Sequence, residues 1–386
     1  MSMRTVLFAA VAVSMALVSG CSDSGMSKMG LDLTQQAIAA AEASGYRHAA
    51  EGDGEVLHVY TWSDYISPDV LSSFEKALGV KVVVDTFDSN EAMYANLQAG
   101  GKSYDIIMPS SYQIVTMVRE GMIDKLDHAR LPNIRRNFDA AFAAQILDPS
   151  FEYSVPYAVT YTGFAYAKDK IPEGANVESW SILGNEALKG HVTLLDDMRE
   201  VIGAGLMYLG CSVNSRNPAE IEAAVEQILK WRSNVSKFDA ESYKVEVADG
   251  ATWLGHGYST DMIQIIVGDD AKGLPPRADI GFALPREGFS IAFDEMVVAS
   301  GSQRKDLAYA FINYMYDGEV AAANMGYICG PMPVAPGLAS LDDDYRSLIV
   351  LDDGQLRNGQ VLRSFDGDPE VQDMYHRAWD LIKTME

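Results

Sequence analysis

From residue 55 onward, apolar positions alternate between the spacing of strands and the spacing of helices. Residues 55–59 alternate polar and apolar side chains like a short strand, and the apolar positions of 70–78 fall at helical spacing. Ser67-Pro68-Asp69 marks the start of that helix, with a capping hydroxyl and a proline at the first helical position. Strand patterns recur at 81–87 and 104–108, each followed by a helical segment. Three such units in succession predict a largely parallel sheet with helices on its faces.

The second half of the chain has the same mixture with longer intervals between elements. Strands are predicted at 162–167, 191–195, 244–247, 279–284 and 289–299. Helices with an apolar stripe are predicted at 218–231, 304–316 and 368–385. A chain with 48% apolar composition can easily bury a core, and its length of 386 residues predicts two domains.

The first 21 residues have the pattern of an export signal peptide. Arg4 precedes an apolar run that is too short to span a bilayer, and the run ends in Leu17-Val18-Ser19-Gly20-Cys21. This ending resembles the bacterial lipobox, in which the peptide is cut before a cysteine that then carries lipid. Lipidation of Cys21 is therefore predicted, with ordinary signal cleavage nearby as the alternative. Residues 22–54, which lack an apolar face large enough to dock firmly, are predicted to form a tether.

Composition limits the classes of partner. Asp and Glu number 54 against 30 Lys and Arg, which argues against nucleic acid and is compatible with a cationic ligand, although acidity also serves solubility alone. Cys211 and Cys329 are expected in different domains, so no disulfide between them is predicted. The six histidines are scattered singly, and neither a metal nor another cofactor is predicted.

A predicted strand-to-helix turn, Tyr60-Thr61-Trp62-Ser63-Asp64-Tyr65, carries candidate binding chemistry. In open α/β sheets, ligands bind beyond the carboxyl ends of the strands, which is where this turn is expected. Its two large aromatic rings and its carboxylate suit an organic cation. The alternative is a turn whose aromatic side chains only cover the core.

Several motifs, taken in order, resemble bacterial spermidine/putrescine-binding proteins, the extracytoplasmic receptors of polyamine ABC importers. The motifs are the 60–65 turn, Pro109-Ser110-Ser111-Tyr112, Arg119-Glu120-Gly121-Met122-Ile123, Val155-Pro156-Tyr157 and residues 194–201. The resemblance extends from about Val56 to the C-terminus and implies an α/β fold of the two-lobed type II clamshell kind. Lobe one would comprise 55–157 plus 293–333, and lobe two would comprise 158–290 plus 336–386.

The resemblance also implies a ligand-binding set drawn from both lobes. Trp62 and Tyr65 would wall the methylene chain of a polyamine, and Asp64 and Asp294 would pair its ammonium groups. The rest of the implied set is Ser63, Ser110, Tyr112, Asp197, Glu200, Trp253, His256 and Tyr327. From the residues alone, the favoured interpretation of Asp197 and Glu200 is that they complement a helix dipole, and Trp253 could equally fill a core.

Near residues 360–362 the chain has no clear match for the glutamine that some spermidine-binding members use, and it departs from the family pattern at two further positions. Ala292 stands where the family usually has an aromatic residue two before the acid, and Phe293 alternates to the opposite face. His256 stands where some diamine-binding members have an aspartate. Both departures favour a longer, triply charged ligand, so spermidine is predicted to bind at least about tenfold tighter than putrescine.

The predicted function is that of a lipid-anchored receptor at the periplasm or cell surface. It would bind a polyamine between its lobes, close on it, and deliver it to an inner-membrane ABC permease. No enzymatic activity is predicted, because no GxSxG elbow, metal-ligand cluster or phosphate loop is present. The alternatives are a sensor for a membrane signalling protein, a binding protein for another organic cation, and an exported enzyme.

Overall fold

The computed structural model describes residues 31–47, 55–100, 103–240, 242–268, 275–365 and 367–384. The predicted signal peptide, Cys21 and most of the predicted tether lie outside these residues. Within the described ranges, no helix combines the length and apolar character needed to cross a membrane.

The described residues form ten strands and fifteen helices. The strands are β1 Val56–Trp62, β2 Lys81–Phe87, β3 Ile106–Ile107, β4 Val155–Ala167, β5 Val192–Leu194, β6 Val235–Phe238, β7 Leu254–Tyr258, β8 Ile280–Ala283, β9 Phe289–Val298 and β10 Gly359–Val361. The helices are α1 Thr34–Ala43, α2 Pro68–Leu78, α3 Asn90–Gln98, α4 Ile114–Arg119, α5 Pro132–Asn137, α6 Met198–Tyr208, α7 Pro218–Arg232, α8 Tyr243–Asp249, α9 Ser259–Val267, α10 Lys305–Met315, α11 Gly318–Ile328, α12 Ala335–Ser340, α13 Asp343–Ile349, α14 Asp353–Leu356 and α15 Pro369–Thr384.

The sheet is continuous and has the order β2-β1-β3-β9-β4-β7-β5-β6, with β10 paired to β9 and β8 paired to β4. β1 is parallel to both β2 and β3, which confirms the predicted β-α units. β5 is parallel to β6 and β7 in the second half. Two long antiparallel strands join the halves: residues 155–161 of β4 pair with β9, and residues 162–167 pair with β7 and β8. The predicted α/β class is confirmed.

Each half of the sheet has its own hydrophobic core. In the first half, Phe74 of α2 packs against Phe311 and Tyr314 of α10, with ring centroids 5.1 and 5.3 Å apart. In the second, Phe164 of β4 packs edge-on against Trp180. With a core at each end, β4 and β9 form the floor between two lobes.

Helix α1 packs on the folded domain, so the prediction that this segment does not dock is wrong for residues 31–47. Leu33, Ala37, Ala40 and Ala41 are at most 3% exposed, and the helix lies against α2 and α10. The Asn313 side-chain amide donates to the Ala40 carbonyl at 2.9 Å. Alanine side chains allow close approach but present little apolar surface, so the sequence pattern gave a weak signal for this contact.

Residues 244–247 form part of helix α8, and the strand predicted there is wrong. The valines at 245 and 247 imitate strand alternation, but Tyr243 and Val247 are the buried pair, at the i, i+4 spacing of a helix face. Gly250, with φ of 86°, ends the helix. Cys211 is half-buried and Cys329 is buried, and within the described part of the chain no disulfide joins them.

Candidate functional site

Strands β4 and β9 carry the floor of the candidate site between the lobes. Ser290, Ala292 and Asp294 share one face of β9, because every second residue of a strand points the same way. On β4, Thr160 lies opposite Ala292. At ~3.3 Å per residue, the positions of Ser290 and Asp294 are about 13 Å apart along the strand.

Asp294 lies at the lobe-one end of this floor and is held by hydroxyl donors. Ser110 Oγ donates to its Oδ1 at 2.7 Å, and the Tyr65 hydroxyl donates to its Oδ2. Asp294 is 6% exposed, and burial raises the pKa of its carboxyl to about 6 although the hydroxyl donors oppose this change. Among the described residues no basic side chain forms an ion pair with it. The site therefore offers a buried carboxyl whose described partners are all uncharged.

The turn after β1 positions Tyr65. Asp64 adopts the left-handed region with φ of 54°, which aspartate tolerates better than most residues, and the Tyr157 hydroxyl donates to the Tyr65 carbonyl at 2.8 Å. The Tyr327 hydroxyl lies 3.4 Å from Asp64 Oδ1. Asp64 and Ser63 are exposed, whereas Tyr65 is buried. The turn thus sends one side chain to Asp294 and leaves a carboxylate at the solvent.

Asn90 supports the Ser110 side of the site, and the sequence analysis did not identify it. Its amide nitrogen donates to Ser110 Oγ at 3.1 Å and to the Tyr112 hydroxyl at 2.8 Å, and its Oδ1 accepts from the Ser110 amide at 3.0 Å. The side chain is 5% exposed at the start of α3. A single buried asparagine has no sequence signature, so only the fold reveals it.

Asp197 and Glu200 approach the floor from lobe two. Asp197 caps α6, since its Oδ1 accepts from the Arg199 and Glu200 amides at 2.8 and 3.1 Å. Its other oxygen, Oδ2, accepts from the Tyr258 hydroxyl at 3.0 Å. The capping role weighed for this acid is therefore real, but it occupies only one of the two oxygens.

Glu200 is 2% exposed and accepts a hydrogen bond from Ser290 at the lobe-two end of β9. Burial raises the pKa of its carboxyl to about 8, and the Asp197 carboxylate acts in the same direction. A buried carboxyl thus lies at each end of one face of β9. The sequence analysis did not identify Ser290 and Tyr258, because an isolated hydroxyl side chain gives no indication of a binding site.

Tyr112 reaches from lobe one to the lobe-two core. Burial raises the pKa of its phenol well above the usual value, and Glu91 and Asp197 add to that rise while Arg199 opposes it. The Arg199 guanidinium itself lies 3.9 Å from the Phe365 ring and donates to the Arg363 carbonyl at 3.0 Å. Arg199 is therefore held by the C-terminal segment, while Tyr112 connects the lobes beside Asp197.

Trp253 is not brought to this site, which corrects the prediction made for it. Its ring stacks on His191 with centroids 3.6 Å apart. Both residues precede their strands, whereas Asp197 and Tyr258 lie at the opposite, carboxyl ends of β5 and β7. At ~3.3 Å per residue, the five steps from Trp253 to Tyr258 place it about 16 Å away along β7.

His256 is a core residue, so its predicted place among the ligand-binding residues is also corrected. It is fully buried against Trp180 and Phe164, and neither ring nitrogen makes a hydrogen bond. Burial lowers the pKa of its imidazole to about 3. It therefore stays neutral in the folded protein and contacts neither acid of lobe two.

We expect His256→Leu to reduce the loss of stability in acid. The unfolded chain takes up a proton at its ordinary pKa near 6.5, whereas the folded chain resists uptake until about pH 3. Stability from this group is therefore present at neutral pH and falls as pH drops below about 6.5, by about 2 kcal/mol at pH 5.

Urea unfolding at pH 7 and pH 5 measures this difference. The exposed His376→Leu is the matched control and is expected to keep the wild-type loss. An equal loss of stability in wild type and His256→Leu would show that His256 does not cause it.

The fold and the amino-acid sequence place the chain among known proteins. A family model described as bacterial extracellular solute-binding protein matches residues 69–348. The chain belongs to this family, which is one of solute-binding proteins and not one of enzymes. Its fold is the two-lobed clamshell of type II periplasmic binding proteins.

Similar individual proteins include two that are named for polyamines and one that is named a lipoprotein. A putrescine/cadaverine-binding protein of Pseudomonas aeruginosa is 36% identical over 302 residues, which are 77% of this chain and 84% of that protein. The PotD substrate-binding protein of a spermidine/putrescine ABC transporter from Streptococcus pneumoniae has a TM-score of 0.73 and 30% identity, covering 85% of this chain and 100% of that one. The TpPotD lipoprotein of Treponema pallidum has a TM-score of 0.76 and 27% identity, covering 86% and 100%.

Proposed function

We propose that this chain is the polyamine-binding component of an ABC importer. The observation that carries the proposal is the pair of buried carboxyls, Asp294 and Glu200, at opposite ends of one face of β9. They come from different lobes, and no ion pair engages either one among the described residues. Relatives named for putrescine, cadaverine and spermidine support the same ligand class.

A polyamine matches this arrangement chemically. Its ammonium groups need carboxylates, because a buried cation without a partner costs more than its contacts return. Its methylene chain needs apolar or aromatic walls, which Trp62 and Tyr65 supply at the lobe-one end, each cation–π contact contributing about 0.5–2 kcal/mol. Ala292 leaves the middle of the floor open, since its side chain is a single methyl group.

The spacing of the acids favours a long ligand. Asp294 and Ser290, which holds Glu200, are about 13 Å apart along β9. An extended four-carbon diamine is shorter than this, whereas a triamine with seven carbons approaches it. We therefore propose spermidine as the preferred ligand and putrescine as a weaker one.

We expect spermidine to bind at least about tenfold tighter than putrescine, a difference of ~1.4 kcal/mol. Competition calorimetry on protein freed of co-purified amine measures the ratio, with cadaverine and neutral hexanediol as further arms. The Pseudomonas relative is named for putrescine and cadaverine, so the experiment must also be able to detect tighter binding of putrescine than of spermidine. Putrescine binding as tightly as spermidine would mean that Asp64 and Asp294 set the ligand length. Binding of none of the amines would remove the proposed function itself.

We further propose that the mature chain is anchored to the membrane by lipid on Cys21. The Leu17-Val18-Ser19-Gly20-Cys21 ending supports this, and the Treponema relative is named a lipoprotein. Mass spectrometry of the N-terminus from native membranes is expected to find a lipidated Cys21. An unmodified or absent Cys21 would contradict the anchor and leave ligand binding unaffected.

Delivery to a permease, without chemistry on the ligand, completes the proposal. The Streptococcus relative is named as the substrate-binding protein of an ABC transporter. Among the described residues, no cluster of three or more His, Cys, Asp or Glu side chains could hold a metal.

A further inference from the structure

A second cavity, of about 260 Å³, lies on the opposite side of β9 from the candidate polyamine site. Glu295 faces it, while its neighbour Asp294 faces the cleft, because adjacent strand residues point to opposite faces. The turn after β3 divides in the same way: Ser110 holds Asp294, and Ser111 lines the cavity. Two adjacent acids on β9 therefore face different sides: Asp294 faces the cleft between the lobes, and Glu295 faces the second cavity.

Two buried polar atoms line this cavity without a partner. Glu295 and Ser154 are each 1% exposed, and among the described residues neither Glu295 Oε2 nor Ser154 Oγ has a hydrogen bond of good geometry, although the Ser154 hydroxyl lies near enough to the Glu295 carboxyl to oppose the rise of its pKa. Buried polar atoms in folded proteins are almost always paired, because an unpaired one loses its hydration without replacement. A donor group of a ligand would satisfy both oxygens at once.

The charge in the cavity selects a cation. Asp148 is a second acid on its wall, and no basic side chain is among its lining residues. Lys125, which lies over the Tyr153 ring, is paired with Glu152. Burial raises the pKa of the Glu295 carboxyl to about 8, with the Asp148 charge contributing, so a bound cation would favour its ionised form.

The remaining walls are apolar and exclude a bare metal ion. Ile114, Val118 and Leu147 contribute hydrocarbon surface, whereas hard cations such as Ca²⁺ take six to eight oxygen ligands. We propose that this cavity binds a small primary alkylammonium ion, whose ammonium contacts Glu295 and Ser154 and whose alkyl chain packs on Ile114 and Leu147.

Titration of the full chain with n-butylammonium chloride, followed by NMR chemical shifts, tests this site independently of the polyamine cleft. A ligand of so few atoms is expected to bind with a dissociation constant of about 1 mM, and neutral n-butanol at least tenfold more weakly. Glu295→Gln should weaken the amine at least tenfold. Asp343→Asn, whose side chain is 88% exposed on the surface, should change it less than about twofold.

A second variant covers the case in which Glu295→Gln fails to fold. Val115 lines the cavity and is 54% exposed, so Val115→Trp should obstruct the space without disturbing the core. Loss of butylammonium binding in this variant supports the site. Unchanged binding in Val115→Trp or in Glu295→Gln overturns it, as does binding that disappears in Asp294→Asn, which would place the amine in the cleft. No binding to wild type also overturns it.

Discussion

Asp294→Asn is expected to weaken polyamine binding by about 2–5 kcal/mol, or roughly 30-fold to several thousand-fold. The substitution keeps the shape of the side chain but removes the charge that the ammonium group needs while buried. The loss should apply to spermidine and putrescine alike, because both are expected to place a terminal ammonium here. Isothermal calorimetry with each amine measures it.

The fold should survive this change, since one of the Ser110 and Tyr65 hydroxyls can still donate to the amide oxygen and the other can accept from the amide nitrogen. Asp343→Asn is the matched control: its side chain is 88% exposed, and its only described ion pair is with Arg346 on the surface. The control should bind both amines as wild type does. A wild-type affinity in Asp294→Asn, with an unchanged melting temperature, would move the anchor of the ligand to Asp64 or Glu200.

Glu200→Gln is expected to reduce spermidine affinity by about 2–3 kcal/mol and putrescine affinity much less. The reason is the length of the ligand: a diamine bound at Asp294 is too short to extend to the Ser290 end of β9, where Glu200 lies. A tenfold preference for spermidine, ~1.4 kcal/mol, should therefore disappear or reverse. Competition titrations of the two amines against wild type and variant give the ratio directly.

The pH dependence adds a second signature to the same variant. The pKa of Glu200, raised to about 8 by burial and by Asp197, leaves its carboxyl largely uncharged at neutral pH when no ligand is bound. Spermidine favours the ionised form, so wild-type affinity should rise with pH toward 8, by up to about tenfold per unit. Glu200→Gln should lose this part of the rise. Glu226→Gln, on the exposed face of α7, should keep it. Equal losses for both amines would mean that Glu200 is structural.

The parallel half-sheets could be predicted because their signals are local. Proline at 68 and glycine at 79 bound α2, and β2 occupies residues 81–87 as predicted. Helix α1, Thr34–Ala43, lies within the predicted tether. Its docking could not be predicted, since it depends on how closely alanines approach α10.

The candidate site was predictable at one end and less so at the other. The 60–65 turn and Ser110 converge on Asp294 because strands of one sheet bring their ends together. The prediction for Trp253 was wrong because closeness to a strand in the sequence does not show at which end of the strand a residue lies. The prediction for His256 was wrong because a histidine with two unpaired ring nitrogens is unusual in a core. Nothing in the neighbouring sequence indicates that its ring packs against Trp180.

The residues that support the two carboxyls could not be predicted from the sequence, for a different reason. Asn90, Ser290 and Tyr258 act through hydrogen bonds to groups at least 20 positions away in the chain. Short polar side chains of this kind occur throughout any sequence. Only the three-dimensional arrangement distinguishes those that hold a carboxyl from those that face water.

A crystal structure of the chain with spermidine would show whether one amine chain extends along β9 from Asp294 to Glu200. We expect one terminal nitrogen within about 2.8 Å of an Asp294 carboxylate oxygen, as in charge-assisted hydrogen bonds. We also expect another nitrogen at Glu200 or Asp197, with the methylenes passing Trp62 and Ala292. Spermidine bound away from β9, or lying in the cleft without contact to either buried acid, would contradict this arrangement.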